Sequence, residues 1–264
     1  MPTIISDPWG HLRAYTQARI AQGRAGHSLP TDQLLQFQAD HALARDAVYS
    51  SLAISDLHQQ LSQLLETVKA PTNTVLTVQS QAQNRSQYLQ RPDWGRKLAA
   101  QSRQQLCETA WPPSKISMVI ADGLSASAVN AHALPVLRQL IPALLSLGWN
   151  LAPLTLVEQG RVAIADEIGH LLHAEMVVML IGERPGLSSP DSMGAYLTYA
   201  PHPGLTDESR NCVSNIRPEG LGYEAAARKL LYLLTEMHHK KLSGVLLKDE
   251  MDSLSSSSDL PSIN

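Results

Sequence analysis

The sequence predicts an α/β fold with a doubly wound, mainly parallel sheet and a helical N-terminal extension. The clearest indication is Met176–Ile181, an uninterrupted apolar run of the kind that forms a strand buried on both faces of a parallel sheet. A second indication is that strand-like and helical segments alternate after residue 114, which is the pattern of successive βαβ units. The 264 residues are 44% hydrophobic but only 5% aromatic, which predicts a large and mainly aliphatic core.

Residues 1–110 are predicted to form a helical region that ends before a boundary at Trp111–Ser114, where two prolines favour a turn. Asp7–Pro8 and Pro92–Asp93 are typical of helix starts, because proline and an acidic residue suit the first turn. The apolar segment Val75–Val78 lies between polar flanks and indicates a short strand. The predicted helices of this region cover approximately residues 8–22, 32–49, 56–67 and 93–108.

Residues 115–247 are predicted to form the α/β domain, with a Rossmann-like arrangement of strands and helices. The predicted strands cover residues 115–121, 151–157, 176–181 and 195–200, and the predicted helices cover residues 122–148, 166–173 and 222–242. The remaining residues, 248–264, are polar and rich in serine, so they are predicted to be a disordered tail.

Charge and cysteine content exclude several classes of protein. A formal net charge of −3 and an isoelectric point near 6.4 give no positive patch to attract nucleic acids or anionic membranes. No apolar run approaches the roughly 20 residues of a membrane span, and the first residues do not resemble a secretory signal. The two cysteines, Cys107 and Cys212, lie far apart in the sequence and indicate a reducing compartment. We therefore expect a soluble, cytoplasmic protein with no nucleic-acid or membrane partner.

Three loops that follow predicted strands are expected to meet at one crevice. Open parallel sheets bind ligands beyond the carboxyl ends of their strands. Glu183 and Arg184 follow the central strand, and Val162 follows the strand at 151–157. Cys212 is expected in a loop between the last strand and the last helix, on the same rim. The sequence therefore makes this rim the candidate binding site.

Three local patterns suggest other chemistry but fit it poorly. Gly123–Ser127 lacks the second glycine of a serine-hydrolase nucleophile turn. Gly220–Ala225 matches the G-x-G-x-x-A dinucleotide pattern, but a polar loop rather than a strand precedes it. His170, His173 and Glu175 could share a face, yet they lack the remaining ligands and the spacing of a zinc site. We predict no metal ligand and no catalytic residue from these patterns.

Seven segments, taken together and in this order, carry a resemblance to a known family. They are RIAQGRAG (19–26), QADHALARD (38–46), QYLQRPDWGR (87–96), VIADGLSASAV (119–129), QGRVAIADEIG (159–169), MLIGERPGL (179–187) and NCVSNI (211–216). They resemble the small (light) subunit of ethanolamine ammonia-lyase, an adenosylcobalamin-dependent enzyme. The resemblance extends from about Arg13 to about Lys248, and the combination of GRAG, RPDWGR, ADGLS and GERPGL is highly specific.

The resemblance implies that the chain binds the corrin of adenosylcobalamin, while a large subunit completes the site and binds most of the ethanolamine. It implies radical deamination of ethanolamine to acetaldehyde and ammonia, with the chemistry supplied by the cofactor. The family's cofactor contacts correspond here to Val162, Glu183 and Cys212. Glu183 would accept hydrogen bonds from corrin amides, and the other two would offer small apolar surface. The helical region 1–110 is expected to contact the large subunit, and no catalytic acid or base is expected on this chain.

The resemblance also implies that cobalt keeps the cofactor's own dimethylbenzimidazole rather than a protein histidine. Asp56–Leu61 agrees with this, since it begins like the D-x-H-x-x-G histidine signature but has leucine in place of glycine. Some members carry an N-terminal extension linked to a bacterial microcompartment, and no such segment is seen here, so encapsulation is expected only together with the partner. Two alternatives remain: a stand-alone cobalamin- or cofactor-binding module without catalysis, and a nucleotide-dependent enzyme that uses the turn at Gly220.

Overall fold

The computed structural model describes residues 4–251 and contains a six-stranded sheet with helices packed on both faces. In chain order the elements are β1 (Ile4–Ile5), β2 (Arg24–Ala25), α1 (Thr31–Tyr49), α2 (Ile54–Thr67), β3 (Val75–Gln79), α3 (Arg85–Gln90), α4 (Ala100–Glu108), β4 (Ser114–Ala121), α5 (Ala126–Ser146), β5 (Leu154–Glu158), α6 (Ile164–Leu171), β6 (Ala174–Gly182), β7 (Met193–Tyr199), β8 (Asn211–Ile216) and α7 (Tyr223–Lys240). The predicted α/β class is confirmed. None of the helices within residues 4–251 is both long and apolar enough to cross a membrane.

The sheet is parallel over four strands and antiparallel over the last two. Its strand order is β3-β5-β4-β6-β7-β8. Strands β3, β5, β4 and β6 run parallel to one another, whereas β7 is antiparallel to both β6 and β8. The loop 183–192 joins β6 to β7 without a helix, and so short a connection permits only an antiparallel return. The sheet that the sequence predicts as mainly parallel is therefore mixed.

Alternate residues of the central strands face two separate hydrophobic cores. On one face, Met118 and Ile120 of β4 pack with residues of α2, α5 and α7. On the other face, Val119 and Ala121 pack with residues of α4 and α6. The run Met176–Ile181 is divided between the same two cores, which explains why every residue in it is apolar.

Strand β3 comes from the region that the sequence predicts as helical. Val75–Gln79 pairs in parallel with Leu154–Glu158 of β5 and forms one edge of the sheet. Leu57 and Leu61 of α2 are buried in the same core as α5 and α7. The sheet and its core thus draw on residues from both sides of the Trp111–Ser114 segment.

The first predicted helix, residues 8–22, is much shorter than expected. It is a 3-10 helix, Pro8–Tyr15, and the Asp7 carboxylate caps it by accepting a hydrogen bond from the Trp9 amide at 2.9 Å. None of its residues is buried. A short helix gains most of its stability from packing against the rest of the protein. This helix has no such packing, which is consistent with its ending at Tyr15.

The predicted helix at 93–108 is interrupted. A 3-10 turn, Trp94–Arg96, precedes α4, and the residues between them are not helical. The Ala99 amide donates to the Gln79 carbonyl at 2.9 Å, so this backbone pairs with β3 instead. Cross-strand pairing therefore overrides the helical pattern that the sequence shows here.

Residues 4–49, which we call the N-terminal arm, bury few of their side chains. Within the arm only Pro30 and Ala47 are buried. Most of the exposed large apolar side chains among the described residues belong to the arm, including Trp9, Leu35 and Leu43. The exceptions outside the arm are Leu147, Val245 and Leu246. The arm thus presents apolar surface to the outside rather than to the core.

A few hydrogen bonds attach the arm to the rest of the chain. The Arg85 Nε donates to the Val48 carbonyl, near the end of α1, at 2.5 Å. The Arg217 Nη2 donates to the Gln17 side-chain oxygen at 3.3 Å. The arm is therefore held mainly by polar contacts, in contrast to the apolar packing of the sheet.

The C-terminal residues pack against α7 as far as the structure describes them. Asp249 pairs with Lys229 of α7 at 2.5 Å, and Leu247 is buried. Most of the predicted disordered tail, residues 252–264, lies outside the described residues.

Candidate functional site

A cavity of about 420 Å³ lies at the carboxyl ends of the central strands. Its lining includes Val162 after β5, Glu183 and Arg184 after β6, and Tyr196 of β7. We call it the strand-end cavity. The structure thus brings two of the predicted site residues, Val162 and Glu183, into the lining of one concavity. This is the edge of the sheet at which open α/β folds bind ligands.

Two glycines allow the loops after β4 and β6 to touch at the floor of the cavity. Gly123 has a φ of +57°, in the left-handed region that favours glycine. A side chain at Gly123 would collide with the backbone of Gly182, and one at Gly182 would collide with the backbone of Asp122 and Ser125. The Leu124 amide donates to the Gly182 carbonyl at 2.9 Å. This contact fixes the two loops against each other.

The buried carboxylate of Asp122 fixes a third loop beside them. It accepts hydrogen bonds from the amides of Gln159 at 2.9 Å, Gly160 at 3.0 Å and Gly123 at 2.9 Å. Burial raises the pKa of Asp122 to about 6, although these hydrogen bonds and the Arg85 guanidinium, 3.8 Å away, oppose the rise. Asp122 therefore joins the loop after β4 to the loop that carries Val162.

Two guanidinium groups contact the ring of Tyr88 at the side of the cavity. Arg85 lies 4.7 Å and Arg161 lies 4.3 Å from the centre of its ring, distances typical of cation–π contacts. Its hydroxyl donates to the Gly160 carbonyl at 3.3 Å, and burial raises the pKa of Tyr88 to about 12. The phenol is thus neutral at physiological pH, and it supports the loop that precedes Val162.

Glu183 is anchored through one of its two carboxylate oxygens. Oε2 accepts hydrogen bonds from the Ser192 hydroxyl and, at 3.2 Å, from the Asn215 amide. Within the described part of the chain, Oε1 accepts no hydrogen bond. The half-buried carboxylate is therefore held in a fixed orientation with one oxygen available to an N–H donor of a ligand.

Cys212 lies in a strand, not in the predicted loop. It belongs to β8 and pairs across the sheet with Tyr196 of β7. Although the residue is exposed, partial desolvation raises the pKa of its thiol, and the nearby Glu183 carboxylate raises it further. The thiol is therefore neutral at physiological pH, and it is unsuited to act as a nucleophile. Cys212 does not line the cavity but adjoins it through Tyr196.

Tyr196 is a site residue that the sequence interpretation did not identify. Burial and the neighbouring Cys212 raise the pKa of its hydroxyl. The ring lines the cavity between the loop of Glu183 and the strand of Cys212. Tyr196 lies near the start of the predicted strand at 195–200. The sequence does not show that this strand runs antiparallel to β6, and only that direction brings its start to the cavity.

The weaker patterns in the sequence do not contribute to this cavity. Among residues 4–251, no group of three or more histidine, cysteine and acidic side chains could hold a metal ion. His58 of the D-x-H pattern lies 3.2 Å from the Val75 carbonyl through its Nε2 and is absent from the lining. Strand β8 does precede Gly220–Ala225, contrary to the sequence interpretation, but none of these residues lines the cavity.

Comparison with known proteins gives one consistent match. The family model described as "Ethanolamine ammonia-lyase light chain (EutC)" matches residues 6–248. A curated protein of Ralstonia nicotianae named ethanolamine ammonia-lyase small subunit is 55% identical over 250 residues, which cover 94% of this chain and 90% of that protein. Proteins with the same name from Azotobacter vinelandii and Pseudomonas putida are each 53% identical and cover 93% of this chain, with 90% and 89% of their own lengths matched.

Proposed function

The chain belongs to the ethanolamine ammonia-lyase light-chain family, and we propose that it binds adenosylcobalamin at the strand-end cavity as the small subunit of that enzyme. Membership of this family makes it a subunit of an ammonia-lyase. The observation that supports the cofactor proposal is that Val162 and Glu183, from two different loops, line one cavity at the ligand-binding edge of the sheet. When bound, the cofactor supplies the radical that begins the removal of ammonia from ethanolamine.

The chemistry of the cavity suits a flat macrocycle that carries amide groups. Val162 and the ring of Tyr196 offer apolar surface to the ring system. Glu183 offers the free oxygen of an anchored carboxylate to an amide N–H, which needs a partner once it is removed from water. Cys212 adjoins with a neutral thiol that adds small apolar surface. These residues bind and orient the ligand, and we assign no proton transfer to them. We propose that the cofactor keeps its own base, which is supported by the absence of any histidine among the described residues that line the cavity.

The size of the cavity supports the proposal that a second chain completes the site. At about 420 Å³ it accommodates only part of a corrinoid, because pockets for much smaller ligands already occupy roughly 300–1,000 Å³. The loops of this chain therefore cover one side of the ligand. We propose that the large subunit covers the other side and binds most of the ethanolamine. A shared site of this kind also excludes water from the radical chemistry.

The N-terminal arm supplies a surface for that large subunit. Its helix α1 has 19 residues, of which only Ala47 is buried. Leu35 and Leu43 on this helix are 59% and 57% exposed. An apolar surface of this extent marks a protein–protein contact in soluble proteins. We propose that the large subunit covers the arm. The cytoplasmic location of the complex, with or without a microcompartment, stays a prediction.

The direct test is cofactor binding by the complex of this chain with a large subunit. We expect both chains to be required for binding of cyanocobalamin, followed by absorbance, and for release of acetaldehyde from ethanolamine with adenosylcobalamin. Glu183→Gln should weaken cofactor affinity by about 1–3 kcal/mol, because the variant amide is a poorer acceptor for a desolvated N–H. The matched control is Glu224→Gln, since Glu224 is an exposed residue of α7 that does not line the cavity.

Two outcomes would favour the alternatives. Tight cobalamin binding by this chain alone, unchanged by the large subunit, would indicate a stand-alone binding module. Loss of cofactor affinity in Gly222→Ala would indicate that the turn at Gly220 takes part in binding. We expect no such loss, because a Cβ at Gly222 meets nothing within 4 Å and the residue does not line the cavity.

A further inference from the structure

The strand-end cavity contains two guanidinium groups that the contacts above leave without a carboxylate partner. Arg161 and Arg184 both line it. Arg184 is exposed, and within residues 4–251 it forms no ion pair or hydrogen bond through its side chain. The Nε of Arg161 is buried and has no hydrogen-bond partner. The Arg184 side chain and the N–H groups of Arg161 that donate to no protein atom are therefore left for a ligand.

The protein holds Arg161 in place before any ligand binds. Its guanidinium lies over the ring of Tyr88, and its Nη2 donates to the Tyr88 carbonyl at 3.1 Å. Its amide donates to the Gly95 carbonyl at 2.7 Å. A side chain at Gly95 would lie 2.6 Å from the Arg161 Cγ, so the glycine leaves room for this arginine. The site is therefore preorganised on this side.

Acidic groups near the cavity do not neutralise these two cations. Asp122 accepts three backbone hydrogen bonds and faces Arg85 instead. Glu183 is the carboxylate in the lining, and its Oε2 is used by Ser192 and Asn215. The lining thus has one more positive than negative charge, which favours an anionic group on the ligand.

Arginine recognises phosphate well because its planar donors match two phosphate oxygens at once. We propose that Arg161 and Arg184 form a phosphate-binding subsite within the strand-end cavity, which takes the phosphodiester of the cofactor's nucleotide tail. This inference rests on the proposed function. Ethanolamine itself, a cation at physiological pH, is disfavoured next to these arginines.

Two corrinoids that differ in the phosphodiester separate this subsite from general corrin binding. The complex of the full chain with its large subunit is titrated with cyanocobalamin and with dicyanocobinamide, which lacks the nucleotide tail, and binding is followed by absorbance. Arg184→Gln should weaken cyanocobalamin binding about tenfold, because it removes one exposed charge-assisted hydrogen bond. The same variant should weaken dicyanocobinamide binding less than about twofold. Arg228→Gln, an exposed arginine of α7 outside the lining, should change neither.

Arg184 is the decisive position because its side chain forms no hydrogen bond or ion pair within residues 4–251, whereas Arg161→Gln also removes a contact with Tyr88. Equal weakening of both corrinoids, or of neither, in Arg184→Gln would overturn the subsite. Inorganic phosphate is added as a competitor in a separate series. In one outcome, phosphate competes with corrinoid binding in the wild type but not in Arg184→Gln, while the ratio of the two corrinoid affinities is the same in both proteins. That result would assign the site to free phosphate and overturn the inference. If the wild-type complex binds neither corrinoid, the proposed function fails as a whole.

Discussion

The helices α1 and α5 are nearly equal in length but use their apolar residues in opposite ways. Helix α5 buries eleven of its 21 residues against the sheet and α7. Helix α1 buries one of 19 and leaves its leucines exposed. Fully burying a leucine contributes roughly 1.5–3 kcal/mol, so burial within this chain stabilises α5 far more than α1.

This difference shows which part of the chain buries its apolar residues within the chain itself. The sheet and its two cores lie within residues 52–251, whereas the apolar residues of the arm remain largely uncovered. A helix with so little packing is marginal in water. The apolar surface of the arm is therefore available to another molecule, and the family name indicates that a larger subunit exists.

The same substitution made in both helices gives the largest contrast. Leu140→Ala in α5 removes a fully buried side chain and should lower the free energy of unfolding by about 2–5 kcal/mol. Leu35→Ala in α1 should change it by less than about 0.5 kcal/mol, as exposed positions usually do. Chemical denaturation of the full chain measures both values. Comparable losses in the two variants would show that the arm is packed in solution and would remove the contrast.

For association with the large subunit, substitutions in the arm should have a larger effect than substitutions outside it. Leu35→Asp combined with Leu43→Asp puts charges on the exposed face of α1, and we expect at least a tenfold loss of affinity for the large subunit, about 1.4 kcal/mol. The stability of the isolated chain should not change. Leu147→Asp, at an exposed leucine that follows α5, is the control for adding charge outside the arm. Full affinity in the double variant would mean that the arm is not the docking surface.

An ionic contact at the opposite end of the sheet gives the smallest effect. Burial disfavours ionisation of Glu175, but hydrogen bonds from Lys115, His238 and Lys241 outweigh it and lower its pKa to about 2 from 4.5. A lowered pKa gives stability that is present above pH 4.5 and is lost as the pH falls from 4.5 toward 2. Glu175→Gln should therefore cost about 1 kcal/mol or less at pH 7 and flatten the loss of stability over that range. Acid unfolding followed by circular dichroism measures this, and identical pH profiles would contradict it.

The elements that the sequence predicted well have long and consistent apolar patterns. Strands β4 and β6 and helices α5 and α7 fall close to their predicted positions, because each buries a full face or both faces. Val162 and Glu183 were predicted at the cavity for the same reason, since each follows a strand of the parallel part. Local pattern was sufficient for these elements.

Contacts between distant segments account for what the sequence did not predict. Cys212 was expected in a loop because β8 is largely polar, with only Val213 and Ile216 buried in it. The assembly of the cavity floor depends on Asp122, whose partners at Arg85 and Gln159 lie about 37 residues away on either side. Spacing along the chain carries no sign of such a cluster, and only the sheet topology brings it together.

Arg85 connects the N-terminal arm to the floor of the strand-end cavity. One guanidinium donates to the Val48 carbonyl at the end of α1 and, at 2.7 Å, to the Gly123 carbonyl at the cavity floor. If the large subunit covers the arm and the cofactor occupies the strand-end cavity, as we propose, Arg85 lies directly between the two contacts and couples them. Thermodynamic reciprocity then requires the cofactor to strengthen subunit association by the same factor by which the subunit strengthens cofactor binding. In the proposed complex, subunit assembly and cofactor loading would therefore favour each other.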